Sequence, residues 1–197
     1  MIEFPKDIIL EDERVLLRPL ESSDLEFLLP YALQEPDTWE YSIISPAGEE
    51  GMKKYIADTL SQREMKTEYA FIVFDKASGL YAGSTRFYDI QLYHLSTQLG
   101  YTWYGKAFRR TGLNRHCKWL MLSYAFENWG LERVEFRADA RNERSIQAMK
   151  DIGCKVEGIL RSQLTIERGG RRSSIVLSIL KEEWEASVRE ILIKKIK

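Results

Sequence analysis

The chain has little cysteine, no long apolar run and almost no net charge. Its 197 residues include two cysteines, Cys117 and Cys154, too few for the disulfide framework of a small secreted protein. No apolar stretch approaches the roughly 20 residues of a membrane-spanning helix. The net charge of −1 gives no general reason to expect nucleic acid or a membrane as partner. Because the N-terminal residues are also too charged for a signal peptide, we expect one cytoplasmic domain spanning residues 1–197.

One stretch of the chain lacks acidic residues altogether. No aspartate or glutamate occurs from Gln91 to Phe126. The basic residues of the same stretch are Lys106, Arg109, Arg110, Arg115 and Lys118. A solvated helix face usually mixes both signs of charge, so this stretch favours a site for a polyanion, although chance also produces such runs.

The order of predicted elements indicates the fold class. Alternating, β-branched and aromatic runs predict strands at 14–20, 69–75, 80–90, 97–104, 133–139, 154–166 and 172–180. Helical spacing and capping residues predict helices at 22–33, 49–63, 113–125, 142–152 and 181–197, the first capped by Ser22, Ser23 or Asp24. Hairpins that precede a helical crossover predict a mixed α/β sheet with helices on both faces. They do not fit a doubly wound dinucleotide-binding fold.

The segment GYTWYGKAFRRTGLNR, at 100–115, can be interpreted in two ways as a phosphate loop. Gly100 to Lys106 comes close to the nucleoside-triphosphate pattern G-x-x-x-x-G-K-[ST]. That interpretation fails because Ala107 has no hydroxyl for Mg²⁺, and because 101–104 is made of strand-forming residues. The second interpretation concerns Arg109 to Asn114, where a basic loop enters the N-terminus of the most regular helix.

Free main-chain N–H groups and the helix dipole at such an N-terminus form an anion site. Gly112 permits a positive φ or a close approach of the backbone. The arrangement suits a pyrophosphate, and the additional arginines suit a further phosphate. The alternative, equally good from this segment alone, is that Gly112 is a turn glycine and the arginines form a solvated rim.

The loop and the residues after it resemble a known family. Arg109-x-x-Gly112-x-Asn114 is similar to the [QR]-x-x-G-x-[GA] acetyl-CoA signature of the GNAT superfamily of N-acetyltransferases, with Asn114 at the final small position. The segment SYAFENWGLERVEFRADARNERSIQAMKDIGCKVEGILRS resembles the Rim branch, the ribosomal-protein N-terminal acetyltransferases and their relatives. The matching residues are Ala125-Phe126, Asn142, Ser145, Gly153, Glu157-Gly158 and Arg161. The resemblance covers roughly residues 10–185, and 98–161 is its specific core.

This resemblance implies a GNAT-like domain, mixed and mostly antiparallel, in which the parallel strands 97–104 and 133–139 splay apart. It implies that acetyl-CoA is the cosubstrate and that no metal is needed. Pantetheine would lie against the main chain of Trp103, Tyr104 and Gly105. The implied pyrophosphate-binding residues are Arg109, Arg110, Thr111, Gly112, Leu113 and Asn114, and the implied 3′-phosphate ligands are Arg109, Arg110 and Arg115. Asn142 would lie beside the pantetheine or acetyl group, and a plain N-cap is an equally good interpretation.

The implied reaction is direct attack of an amine on the thioester. It requires a base for the amine, a polarising group for the carbonyl and a proton donor for the thiolate. A main-chain N–H of strand 97–104 would polarise the carbonyl. Many superfamily members donate the proton from a tyrosine, where this chain has Met149; the Rim branch relies on Ser145. Ser145 is therefore the expected donor or orienter of a donor water, unless it only caps or packs in its helix.

The general base is harder to assign. The acidic residue of many members corresponds to Gln98, and the alternative acidic position of the branch falls near Leu164. His94 is the candidate base because its ordinary pKa lies near neutrality and it precedes the same strand. Asp89, Glu157 and a chain of waters are the alternatives.

The missing base bears on the acceptor. An α-amino group has a pKa of about 8 and a lysine side chain one of about 10.4, so far more of the former is neutral at pH 7. The sequence therefore predicts a protein or peptide N-terminus as acceptor. The expected acceptor pocket lies between the helices at 22–63, the 88–96 loop and the last hairpin. Its candidate residues are Trp39, Tyr41, Tyr88, Tyr93, Arg161, Arg171 and Arg172, while the turn 167–172 is expected to be only a hairpin tip.

Two other functions remain open at this point. A small-molecule amine could be the acceptor, although the arginines of the last hairpin favour an acidic or peptide acceptor over a polycation. A catalytically weak acyl-CoA sensor would explain Gln98 and Met149. A nucleic-acid-binding module fits less well, because no aromatic-basic RNA motif is present. The chain could act as a monomer or a homodimer.

Overall fold

One mixed sheet organises the molecule. The computed structural model describes residues 4, 7–166 and 169–196 of the chain. Within them, the strands are β1 (Leu10–Glu11), β2 (Val15–Pro19), β3 (Tyr69–Asp75), β4 (Leu80–Gln91), β5 (Ser96–Tyr104), β6 (Arg133–Asp139), β7 (Lys155–Thr165) and β8 (Arg171–Leu180). Their order across the sheet is β1-β2-β3-β4-β5-β6-β8-β7. Only β5 and β6 pair in parallel among these strands, so the predicted mixed, mostly antiparallel sheet is confirmed.

Helices cover both faces of this sheet, as the element order predicts. They are α1 (Leu25–Gln34), α2 (Gly48–Glu64), α3 (Leu113–Ser123), α4 (Glu143–Asp151), α5 (Lys181–Glu183) and α6 (Arg189–Ile196). A π turn, Tyr124–Asn128, extends α3, and a second, Trp184–Val188, joins α5 to α6. α1 and α2 pack in one apolar cluster with Trp103, whereas α3, α4 and α6 pack in another on the opposite face. None of the described helices is both long and apolar enough to span a membrane.

Strand positions follow the sequence patterns closely. The predictions at 69–75 and 133–139 match β3 and β6 residue for residue. In β6 the alternation of Val134, Phe136 and Ala138 places these side chains in the buried cluster beneath α3. β1 was not predicted, because two residues are too few to show a period. Residues 167–168 of the predicted hairpin tip lie outside the described part of the chain.

The first helix begins differently from the prediction. Ser22–Asp24 forms a 3₁₀ turn ahead of α1, and the Asp24 side chain makes no capping bond to α1. Asp24 is buried and accepts hydrogen bonds from the Glu21 main chain at 2.8 Å and from Arg18 Nη1 at 3.0 Å. A buried carboxylate needs a charged partner more than a helix end needs a cap, so Arg18 determines its orientation.

The parallel pair β5–β6 diverges after a short paired segment. Pairing joins Ser96–Gln98 of β5 to Arg133–Glu135 of β6, and the register ends there. A bulge in β5 follows, where Tyr101 has a φ of +48° and two residues of β5 oppose one of β4. The predicted splaying of 97–104 from 133–139 is thus confirmed, and it begins beyond Gln98 and Glu135.

Asn142 provides the N-cap of α4. Its Oδ1 accepts a hydrogen bond from the Ser145 main-chain N–H at 3.0 Å. We expect Asn142→Ala to lower the free energy of unfolding by about 1 kcal/mol, because one helix N–H loses its acceptor. Urea titration followed by circular dichroism measures this change. Asn142→Asp keeps an acceptor oxygen and should stay near wild type; equal loss in both variants would contradict a capping role.

A candidate active site between two diverging strands

The gap between β5 and β6 exposes strand backbone to a possible ligand. Beyond Gln98, no strand in the described part of the chain pairs with the edge of β5 that faces β6, because the two-strand register stops there. Unpaired strand groups need another hydrogen-bonding partner, and an extended chain can supply it as an added strand does. The gap opens at the carboxyl ends of both strands, next to the N-termini of α3 and α4.

A row of free amides lies where β5 leads into α3. Among the described residues, none accepts a hydrogen bond from the main-chain N–H of Arg110, Thr111, Gly112 or Asn114. The Leu113 N–H contacts Thr111 Oγ1 at a long 3.4 Å, and the Arg109 N–H is bonded to the Lys106 carbonyl. Four open donors at the positive end of an eleven-residue helix are an arrangement that can bind an anion.

Gly112 and Asn114 both keep these amides accessible. Gly112 has a φ of +90°, as the sequence predicts, and no atom lies within 4 Å of the position a Cβ would take. Asn114, the departure from the family's small residue, turns its side chain inward, where its Oδ1 accepts a hydrogen bond from the Tyr104 hydroxyl at 3.2 Å. The Asn114 side chain therefore does not obstruct its own N–H.

The basic residues of the loop divide into two groups. Arg109 is half-buried, and it donates from Nε to the Tyr104 carbonyl at 3.1 Å and from Nη2 to Thr38 Oγ1 at 2.8 Å. Arg110 and Arg115 are exposed and are the freer candidates for a phosphate. Burial lowers the pKa of Arg109, and the like charge of Arg144 on α4 lowers it further. Arg109 and Arg144 thus bring two positive charges near each other, and an anion beside them would be stabilised.

Trp103, Tyr104 and Gly105 are held by the layers on either side of β5. The Trp103 ring packs against Trp39 on the α1–α2 face, with ring centroids 5.0 Å apart, and the buried Tyr104 ring lies on the α3 face. The Gly105 N–H donates to the Ala82 carbonyl at 2.9 Å, so it is directed at β4 and not at the gap. A Cβ at Gly105 would come within 2.3 Å of the Tyr31 ring, which explains the glycine.

The first turn of α4 brings Asn142 and Ser145 together. Ser145 is half-buried, and its N–H is the group capped by Asn142. Met149, at the position of the superfamily's tyrosine, is buried in the core cluster under the sheet. The ionisable side chains of α4 in the described chain, Glu143, Arg144, Lys150 and Asp151, are all exposed.

A carboxylate lies next to the uncharged residue of β5. Asp89 Oδ2 accepts a hydrogen bond from Gln98 Nε2 at 2.8 Å, and its Oδ1 accepts one from Gln91 Nε2. Asp89 lies in a bulge of β4, between Tyr88 and Gln91, and has a φ of +48°. That conformation directs its side chain toward Gln98. Gln98 is 8% exposed, and its Oε1 accepts no hydrogen bond from the described residues.

The other candidate bases are farther from the diverging strands. His94 lies in an exposed 3₁₀ turn ahead of the paired part of β5, and its ring contacts that of Tyr93. Glu157 lies on β7 and is bound to Arg133 and Ser178. The hydrogen bond from Arg133 lowers the pKa of Glu157, so Glu157 is a carboxylate already committed to a salt bridge.

On the α1–α2 face, tyrosines and arginines surround the point where the strands part. The rings of Tyr88 and Tyr101 meet edge to face at 5.0 Å, and the Arg86 guanidinium lies 4.4 Å from the Tyr101 centroid. Arg86 is buried, and its Nε and Nη2 have no hydrogen-bond acceptor among the described residues. Burial raises the pKa of Tyr88 and of Tyr101, so both stay neutral donors.

Only some of the residues predicted to bind the acceptor lie on this surface. Tyr88 and Arg172 belong to this surface; Arg172 is 5% exposed and donates from Nη1 to the Tyr41 carbonyl at 3.4 Å. Trp39 is a buried core residue whose ring packs on that of Trp103. Tyr93, Arg161 and Arg171 are exposed, and Arg171 is held along the β7–β8 hairpin by Ser162 and Thr165.

Sequence reasoning missed Arg86, Tyr101 and Arg144. Arg86 stands inside a strand pattern, where an arginine usually points to solvent, so the sequence did not indicate a buried cation there. An arginine flanked by small and apolar residues, in GSTRF, was the available signal.

Outside the cleft, Asp12, Glu13 and His116 bring ligand atoms within 4.8 Å of one another. His116 Nδ1 and Asp12 are 2.7 Å apart, which ties α3 to the β1–β2 turn.

Known proteins resemble this chain in sequence and in fold. The family model described as an acetyltransferase (GNAT) domain matches residues 14–155. A Bacillus subtilis (strain 168) protein named a probable N-acetyltransferase, YjcK, is 28% identical over 182 residues, which cover 90% of this chain and 99% of that protein. Another from the same strain, provisionally named a ribosomal N-acetyltransferase, YdaF, is 26% identical and covers 88% and 95%. The crystal structure of a GCN5-related N-acetyltransferase from Brucella melitensis has a TM-score of 0.89 at 23% identity, covering 99% of this chain and 88% of that one.

Proposed function

Because the chain belongs to the acetyltransferase (GNAT) domain family and is an acyltransferase, we propose that it transfers an acetyl group from acetyl-CoA to a primary amine, an α-amine at a protein or peptide N-terminus. The observation that carries this proposal is the continuous surface from the open amides before α3 to the unpaired edge of β5. The family generally uses acetyl-CoA, and the free amides fit its diphosphate.

The proposed contacts with acetyl-CoA run from the open amides before α3 to the main chain of β5. The amides of Arg110, Thr111, Gly112 and Asn114 hold the pyrophosphate, with the helix dipole of α3 behind them. Arg110 or Arg115 takes the 3′-phosphate, since both are exposed and Arg109 is bound to Tyr104 and Thr38. The main chain of Trp103 and Tyr104 aligns the pantetheine, and it points the acyl group toward the closed end of the gap.

The acceptor approaches from the α1–α2 face. There the residues that face it are Tyr88, Tyr101, Gln98 and Asp89, and the buried cations Arg86 and Arg172 lie behind them. A main-chain N–H beyond the bulge of β5 polarises the thioester carbonyl, and no side chain is needed for that step. Ser145, at the start of α4, orients the leaving group or a water beside it.

The proton of the attacking amine leaves by a short path. Asp89 accepts it directly or through one water, because its carboxylate is bound to Gln98 at the diverging strands. His94 is the second candidate, reached only through a longer water chain from its exposed turn. A weak base suffices for an α-amine, since a substantial fraction of such amines is neutral at pH 7 to 8.

Acceptor selectivity tests this proposal. We expect acetyl-CoA-dependent thiol release with peptides that have a free α-amine, and at least a tenfold lower rate with the same peptides after α-amine blocking, even when they contain lysine. The measurement is thiol release with mass spectrometry of the acetylated site. Transfer to lysine side chains alone would overturn the α-amine assignment, and transfer only to free small amines would favour a small-molecule acceptor.

A catalytically weak acyl-CoA sensor is the second candidate. Gln98 stands where many superfamily members have an acidic residue, and Met149 stands where many have a tyrosine, so neither side chain can transfer a proton. The two candidates differ in turnover and not in binding. Isothermal titration with acetyl-CoA followed by thiol-release assays separates them: binding without amine-dependent release supports the sensor.

A further inference from the structure

A lysine is buried beneath the diverging strands without a carboxylate partner. Lys118, on the second turn of α3, is 5% exposed, and its Nζ donates a hydrogen bond to Thr102 Oγ1 at 2.9 Å. Among the described residues, the ionisable groups that act on it are the thiols of Cys117 and Cys154. Lysines are almost never fully buried unless paired, since an unpaired buried charge costs free energy. A purely structural role would be filled better by leucine or methionine.

The ammonium group of Lys118 lies at the gap between β5 and β6. Thr102 belongs to the part of β5 that has left its partner, and Phe136 is the first residue of β6 beyond the paired register. Lys118 Nζ is hydrogen-bonded to Thr102 and lies 5.9 Å from the centroid of the Phe136 ring. The group therefore lies between the two strands, on the α3 side, where they begin to separate.

The same ammonium group lies near the place of a missing proton donor. Met149 occupies the position where many relatives in the superfamily have a tyrosine, and a thioether cannot donate a proton. Cys154, which faces Lys118, donates its main-chain N–H to the Met149 carbonyl at 3.1 Å. The electrostatic interaction of Lys118 with Cys154 thus brings its ammonium group near the C-terminal end of α4, where Met149 supplies no proton donor.

The surroundings determine the charge of this lysine. Burial lowers the pKa of Lys118 to about 8, and the neighbouring thiols shift it slightly upward. Burial also raises the pKa values of Cys117 and Cys154 to about 12 each, so both thiols stay neutral. Thr102 and Thr85, whose hydroxyl oxygens are 2.8 Å apart, are not titratable. Lys118 is therefore mostly an ammonium group at pH 7, and no carboxylate of the described residues forms an ion pair with it.

We propose that Lys118 is a catalytic residue whose ammonium group contacts the sulfur of acetyl-CoA and protonates the departing thiolate. This inference rests on the proposed function. The acceptor nitrogen forms its bond to the carbonyl carbon, the carbon–sulfur bond breaks, and its electron pair stays on sulfur. Lys118 gives one proton to that sulfur, which yields free CoA and a neutral lysine. The proton that the acceptor nitrogen gives to Asp89 passes on to water, and Lys118 takes up a proton from water to restore the ammonium group, so the balance is one amide and one thiol.

A functional lysine of this kind should lower stability while raising activity. Its pKa in the folded protein is below its ordinary value, so the folded state is penalised wherever the lysine is charged, and stability should rise with pH from about 8 to about 10.5. We expect Lys118→Met to raise Tm by about 3 °C at pH 7, because the unpaired charge is gone. The same variant should lose on the order of tenfold to a hundredfold in kcat, with little change in the KM for acetyl-CoA.

The pH profile separates a catalytic lysine from a structural one. In the wild type, kcat should fall above pH 8 as Lys118 loses its proton. Lys118→Met should lack that alkaline limb, and Lys118→Arg, which keeps its charge, should shift the limb to higher pH. Lys194→Met, an exposed lysine on α6, is the matched control and should change neither kcat nor Tm.

A binding measurement makes the result independent of turnover. Free CoA bound to the protein is titrated by the ultraviolet absorbance of its thiolate. We expect the apparent acid dissociation constant of the bound thiol to be about tenfold larger in the wild type than in Lys118→Met. Failure of the wild type to bind CoA would contradict the proposed function, and this inference with it. Binding with equal thiol titration and equal kcat in both proteins would overturn the role of Lys118 alone.

Discussion

Gly112→Val is expected to weaken acetyl-CoA binding on the order of a hundredfold while the fold persists. A β-branched residue at a φ of +90° carries strain of about 1–3 kcal/mol, so the loop will relax to negative φ. Relaxation rotates the adjoining peptide planes and separates the open amides of Thr111 and Gly112. Each hydrogen bond to a charged group contributes about 1.5–3 kcal/mol, so two lost bonds account for the expected change. Isothermal titration with acetyl-CoA measures it.

Gly130 offers a matched control at the other end of the same helix. It also has a positive φ, +62°, and also has open space where a Cβ would lie. Gly130→Val should therefore lower stability by a similar amount but leave the affinity unchanged. Equal loss of affinity in both variants would indicate general unfolding, and wild-type affinity in Gly112→Val would remove the diphosphate from this loop. Gly112→Ala, with less strain, should give an intermediate affinity.

Features that depend on local backbone geometry were predictable from the sequence. A glycine after a basic loop and before a regular apolar period predicts a positive φ and an exposed helix start, and Gly112 has both. Asn142 three residues before Ser145 predicts the N-cap that the structure shows. The alternating pattern of β6 is likewise a property of neighbouring residues, so its bounds match residue for residue.

Features that depend on long-range partners were not predictable. Asp24 looks like a helix cap in sequence, but its side chain is turned by Arg18, which lies on the preceding strand β2 and outside the helix start. Asn114 looks like a departure from the family's small residue until Tyr104 is seen to bind its side chain. Lys118 looks like one basic residue among five in an acid-free stretch, although burial against Thr102 separates it from the exposed Arg110 and Arg115.

The candidate general base shows how the pairing register of two strands changes the interpretation of the sequence. In sequence Asp89 is one of several acidic residues near β5, and Gln98 looks like the loss of a catalytic carboxylate. Antiparallel pairing places Tyr88 opposite Gln98, and the bulge beside it turns Asp89 onto the Gln98 amide. A carboxylate therefore lies on the neighbouring strand, at a hydrogen-bond distance from the side chain of Gln98.

Asp89→Asn is accordingly expected to lower kcat/KM by about 10²–10⁴, the usual contribution of general-base catalysis. The reason is that Asn cannot accept a proton, while it can still bond to Gln98, so the local geometry persists. Adding Gln98→Glu returns a carboxylate across the same 2.8 Å hydrogen bond, with donor and acceptor exchanged. The double variant should regain at least tenfold in kcat/KM, measured by thiol release with a peptide acceptor.

The exposed His94, as the alternative general base, predicts a different result for the same variants. If His94 were the base, His94→Ala would produce the large loss and Asp89→Asn would leave kcat/KM within about twofold of wild type. If the α-amine arrives neutral and needs no base, both variants would stay near wild type at pH 8, and the acid limb of the rate profile would follow only the pKa of the acceptor. Recovery in the double variant, with His94→Ala unchanged, assigns the proton to the carboxylate at the diverging strands.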